Sequence, residues 1–111
     1  MMSIFKKIID GEFPAERVYE DSKILAIKDI HPVAPVHILI IPKKVVPNLQ
    51  SLLKEDLTIM ADIVEVAQKL AKEFGVEDSY RLITNCGADA GQTVFHLHFH
   101  LIGGRKLGAL G

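Results

Sequence analysis

From Thr93 to Gly104 the chain reads TVFHLHFHLIGG. Three of its five histidines, His96, His98 and His100, fall at every second position of an apolar run. Alternate residues of a strand share a face. A strand here therefore sets Val94, His96, His98 and His100 on one side and Phe95, Leu97, Phe99 and Leu101 on the other. The second set reads as core. The first set occupies what should be the solvated side of a sheet, where polar residues are merely tolerated. Three consecutive imidazoles at such positions ask for a chemical reason.

Metal binding is one. Same-face neighbours on a strand lie about 6.6 Å apart and the outer pair about 13 Å apart. All three rings cannot converge on one ion at bond lengths of about 2.1 Å. A neighbouring pair could chelate only with help from elsewhere, such as His37 on another apolar segment. Neither a cysteine pair nor a carboxylate-rich loop stands out to assist. Catalysis fits the spacing better. A neutral imidazole is a nucleophile near pH 7 without a metal, and flanking imidazoles can serve different parts of one substrate. The glycines of CGADAG, residues 86–91, let backbone N–H groups approach an anion.

The remaining chain supplies the scaffold. Ile4, Phe5, Ile8 and Ile9 mark one face of a short helix, ended by Gly11 and Pro14. RVYE (17–20) and SKILAIKDI (22–30) read as two strands around a turn at Asp21–Ser22, and HPVAP (31–35) as an extended loop. VHILIIP (36–42) is apolar at every position but one and predicts a central strand covered on both faces. Leu57, Met60, Val64, Ala67, Ala71 and Phe74 step by three and four, predicting a long helix over 54–74 capped by Gly75. YRLITN (80–85) and TVFHLHFHLI (93–102) are further strands. The order α, β, β, β, α, β, β lacks βαβ alternation, so the expectation is an α+β domain with a mainly antiparallel sheet.

At 111 residues the chain is expected to be one domain, 1–111. Thirteen basic and 14 acidic residues give a net charge of −1, which offers no electrostatic case for nucleic acid or an anionic membrane as partner. The single Cys86 cannot form an internal disulfide. No stretch is long enough to span a bilayer, and MMSIFKKIIDGE is unlike a signal peptide. These features predict a cytoplasmic protein.

HLHFHL matches the His-x-His-x-His pattern, with x hydrophobic, of the histidine triad (HIT) nucleotide hydrolases and transferases. IFKKIIDGEFPAERVYED, AIKDIHPVAPVHILIIPKK and NCGADAGQTVFHLHFHLIGGR extend the resemblance to the Hint branch over almost the whole chain. The resemblance implies a HIT-like fold, a five-stranded sheet with one long and one short helix. It also implies a homodimer that hydrolyses adenosine or purine 5′-phosphoramidates to the nucleoside monophosphate (AMP) and an amine. No cofactor and no metal belong to that reaction. Hydrolysis of dinucleoside polyphosphates is an alternative, as is a nucleotide-binding scaffold with vestigial turnover.

By the same resemblance His98 attacks the α-phosphorus and is transiently nucleotidylated. The backbone carbonyl of His96 fixes its tautomer, and His100 and His37 contact the phosphate. Protonated His37 or His100, with backbone amides, would supply the donors around the phosphoryl oxygens. Asp29 corresponds to the ribose-binding acid. Asn85, Gly91 and Thr93 fall at phosphate and leaving-group contacts, with Thr93 standing where serine is usual. Phe5, Ile8, Phe13, Ile27 and Ile30 correspond to the base pocket. Hint proteins usually continue past the arginine of GGR into a Trp- and Pro-containing tail, whereas here KLGALG follows. His31 has no counterpart role, and Cys86 reads as a small loop residue.

Overall fold

The computed structural model describes residues 3–111. Helix α1 (Ile4–Ile9) is followed by strands β1 (Arg17–Glu20), β2 (Ile24–Lys28) and β3 (Val36–Pro42). Helix α2 (Thr58–Glu73), strand β4 (Tyr80–Ile83) and strand β5 (Phe99–Gly103) complete the order. The five strands form one antiparallel sheet in the order β1-β2-β3-β5-β4. The expected α+β class and antiparallel sheet are what the chain adopts.

β3 lies at the centre and is buried along its whole length. Its alternate residues feed two cores. Ile38 and Ile40 pack with Ile63, Val66, Ala67 and Leu70 of α2 on one face. Leu39 and Ile41 pack with Phe5 and Ile8 of α1, and with Leu25 and Ile27, on the other. Helix α1 is anchored by Ser3, whose Oγ accepts from the Lys6 N–H, and is closed by Gly11 at φ +80°.

Several boundaries differ from expectation, and β2 covers only Ile24–Lys28 of the expected 22–30. α2 starts at Thr58, because Lys54–Asp56 forms a separate 3₁₀ turn. β4 stops at Ile83, and β5 begins only at Phe99, so His96 and His98 precede the strand. Side chains bond to the main chain there. The His98 carbonyl accepts from Thr84 Oγ1 at 2.7 Å, and the His96 carbonyl accepts from the His98 ring at 2.7 Å. A side chain thus competes with the strand ladder for each of these carbonyls. The facial assignment changes with it. Leu97, Phe99 and Leu101 are core, but Phe95 is 54% exposed. The histidine face is not solvated: His96 is fully buried and His98 is 8% exposed, beneath α1.

Candidate active site

The register of β3 against β5 pairs Leu39 with His100 and His37 with Ile102. His37 and His100 thus sit diagonally on the α1 face, where long side chains meet across strands. His37 Nε2 lies 2.9 Å from His100 Nδ1. His98 reaches the same face from the segment before β5, its ring centroid 5.2 Å from that of His100. Phe5 of α1 packs edge-on against His98 at 4.8 Å.

Each imidazole's tautomer follows from its partners. His96 Nε2 donates to the Pro42 carbonyl at 2.7 Å, leaving Nδ1 to accept from Ser3 Oγ at 3.4 Å. His98 Nδ1 donates to the His96 carbonyl, so its Nε2 keeps a free lone pair. The Val33 N–H donates to His37 Nδ1 at 3.1 Å, so the His37 proton is on Nε2, where it is given to His100 Nδ1 at 2.9 Å, with Asp29 Oδ2 a more distant acceptor at 3.4 Å. His100 is then protonated at its own Nε2. Among the described residues no fully buried side-chain nitrogen or oxygen lacks a partner. The unpartnered Nε2 atoms of His98 and His100 therefore reach open space. One offers a lone pair and the other, two residues on, offers a proton.

That space is a cavity of about 380 Å³ between α1, β2, β3 and the segment before β5. Phe5, Ile8, Phe13, Ile27 and Ile30 line it, as do Asp29, Thr93, His98 and His100. Ile30 is 84% exposed and forms its rim. His31 also lines it and ties its N–H to Asp29 Oδ1 at 2.8 Å. Asn85, Gly91, His96 and His37 do not line this cavity. His96 lies beneath His98, and His37 lies behind His100. Gly91, at φ +101°, backs on Asn85, whose amide would lie 3.4 Å from a Cβ placed there. Gln92 escaped the sequence reading. It is 4% exposed and fully hydrogen-bonded between the glycine loop, Pro47 and Val94.

Charge in the site is set by burial. Desolvation lowers the His37, His96 and His98 pKa values below the ordinary imidazole value, against the opposing pull of Asp29 on His37 and His98. Burial, reinforced by His98 and His37, pushes His100 down to about 4. The free site therefore holds neutral imidazoles. His100, for which the resemblance implied a protonated phosphate contact, presents a neutral Nε2–H, its proton placed there by the hydrogen-bond chain.

Asp29, His37 and His100 bring one possible ligand atom each within 4.8 Å of one another. An ion there would have to displace the proton shared by the two rings. The chelating pair considered from the sequence is not available through His96, because both its ring nitrogens are engaged.

The tautomers make a direct prediction. In 15N-resolved histidine spectra at pH 7.5, His37, His96 and His100 are expected as Nε2–H forms and His98 as the Nδ1–H form. An Nε2–H signal for His98 would contradict the geometry.

The description HIT domain matches residues 10–107 of the chain. The chain belongs to the HIT domain family. A HIT-like protein of Chlamydia pneumoniae is 51% identical over 109 residues, covering 98% of this chain and 99% of that protein. The purine nucleoside phosphoramidase of Escherichia coli is 44% identical over 109 residues, covering 97% and 92%. Among solved structures, a HIT family hydrolase from Clostridium thermocellum superposes with a TM-score of 0.93 at 50% identity, covering 97% and 95%. The chain is accordingly a HIT-type hydrolase with the fold of that family. No helix among the described residues is long and apolar enough to cross a membrane.

Proposed function

We propose that this HIT hydrolase cleaves purine nucleoside 5′-phosphoramidates through a covalent nucleotidyl intermediate on His98. The observation that carries the reading is the opposed pair of ring nitrogens, the His98 lone pair and the His100 N–H, facing one apolar cavity. A purine ring fits among Phe5, Ile8, Phe13, Ile27 and Ile30. Asp29 at the cavity's edge has carboxylate oxygens to accept from ribose hydroxyls. That placement brings the α-phosphorus towards His98.

His98 Nε2 then attacks phosphorus while the P–N bond to the amine breaks and the amine takes up a proton from solvent water. His100 Nε2–H donates to a phosphoryl oxygen as charge builds on it, and the Thr93 hydroxyl lies on the same wall. Water next attacks the phosphorus and gives up one proton to the solvent as the His98 N–P bond breaks, which releases the monophosphate and restores neutral His98. The His96 carbonyl accepts from Nδ1–H throughout and stabilises the ring as it acquires positive charge. Asn85 and Gly91 act from outside the base cavity, on the leaving-group side. β4 is an edge strand, which supports pairing of two copies in a homodimer.

The test compares turnover of an AMP–amine with that of diadenosine polyphosphates, each with and without chelator. Release of amine and AMP, insensitive to chelator and faster than polyphosphate cleavage, is expected. Retention of AMP without amine release would instead identify a binder. The pH profile has a fixed sign. Because the His98 pKa lies below the ordinary value, kcat/KM should be flat through neutrality and fall on the acid side of about pH 6.5. An acid limb centred above pH 7 would contradict a neutral nucleophile.

A further inference from the structure

Arg105 closes the GGR sequence just beyond β5 and turns towards the His31–Pro35 loop. Its Nε donates to the Val33 carbonyl at 3.0 Å and its Nη1 to the Lys106 carbonyl at 2.8 Å. Val33 supplies the N–H that fixes His37 Nδ1. The loop carrying it has no strand ladder, and Val33 is 55% exposed. The backbone of GGR also passes close beneath that loop: a Cβ at Gly104 would lie 3.0 Å from Pro35 Cβ. The arginine and the catalytic-side histidines are therefore joined by four consecutive links: Arg105 to Val33, Val33 to His37, His37 to His100, and His100 to the cavity.

We propose that Arg105 is a positioning residue for the reaction: by holding the Val33 carbonyl it keeps the Val33 N–H on His37 Nδ1, and so keeps His37 and His100 as Nε2–H tautomers. Without that tether His37 Nδ1 loses its donor and becomes a site for the ring proton. In the part of the population that makes this shift, against the pull of Asp29 Oδ2 3.4 Å from His37 Nε2, His37 Nε2 accepts from His100 Nδ1–H, and His100 Nε2 becomes a lone pair. A lone pair aimed at a phosphoryl oxygen repels where the N–H attracted. The ring protons are only redistributed, so no charge changes. The catalytic consequence rests on the proposed role of His100 at the phosphate. The tautomer consequence does not depend on any substrate.

The experiment uses the full chain with Arg105→Ala and Arg105→Lys. Lysine keeps the charge but has no planar fork to hold two carbonyls. In both variants 15N spectra should show Nδ1–H forms entering at His37 and His100, while the His96 and His98 signals stay unchanged and attest the fold. Turnover of an AMP–amine should fall roughly tenfold in kcat, with a smaller change in KM. Val33→Pro, which deletes the N–H from the other side, should give the same mixture. Unaltered tautomers in Arg105→Ala overturn the proposal. A wild-type spectrum in Arg105→Lys overturns the role of the fork and leaves only charge. Shifted tautomers in a protein whose wild type turns over no phosphoramidate uphold the tether and reject the substrate reading.

Discussion

His98→Ala is expected to lower kcat for an AMP–amine by at least about 10⁴-fold. The variant removes the ring lone pair that faces the cavity beside the His100 donor, and neither other histidine of the triad can take over the attack; His31, also on the cavity wall, is tied by its N–H to Asp29 and is not paired with His100. His96 has both nitrogens engaged, and His100 presents a proton. The structural cost is small by comparison. The His96 carbonyl loses a bond, at about 1 kcal/mol, and Phe5 loses an edge contact. Because the apolar wall and Asp29 are untouched, AMP should still bind within a few-fold of the wild-type affinity. Rapid quenching of the wild type should trap protein heavier by one nucleotidyl group, and the variant should yield none. Undiminished turnover in His98→Ala would sink the covalent mechanism.

Much of this architecture could be read along the chain because it rests on local patterns. The apolar run of β3 announces a strand covered twice, and the three-and-four spacing over Leu57–Phe74 announces α2. What could not be read depends on contacts distant in sequence. Nothing within residues 93–102 shows that α1, some 90 residues earlier, lies over the histidines and buries them. Nor does the alternation reveal that side chains compete for the carbonyls of His96 and His98, ahead of a strand that begins at Phe99. The meeting of His37 with His100 requires the β3–β5 register, which the resemblance supplied but periodicity did not. The same holds for charge. An imidazole expected at a phosphate suggests a cation, whereas burial of His100 pulls its pKa down and favours the neutral ring.

Gln92 shows the cost of reading residue types without partners, and its replacement is expected to have the second largest effect. Its Oε1 accepts from the Gly87 N–H at 2.9 Å, while Nε2 donates to the carbonyls of Pro47 at 2.8 Å and Val94 at 3.1 Å. One buried amide thus ties the glycine loop, the segment after β3 and the approach to His96. Gln92→Glu keeps the shape and the acceptor but turns the two-proton donor into an oxygen facing two carbonyls. The ionised form is repelled by both, so the folded state should raise the new carboxyl's pKa above its unfolded value of about 4.3. The sign follows from linkage: the variant is most stable in acid and loses stability as pH rises through the unfolded pKa and on to the folded one. At pH 7.5 the loss should reach about 3 kcal/mol, lowering Tm by roughly 10 °C or more. Gln92→Met leaves the same three backbone groups unpaired without adding a titrating group, so its deficit relative to wild type should stay constant between pH 5 and 8. Both variants should lose kcat well below their Tm, since the segment carrying Val94 then delivers His96 and His98 less precisely. A Tm for Gln92→Glu within about 2 °C of wild type at pH 7.5 would show that this amide does not hold the three segments together.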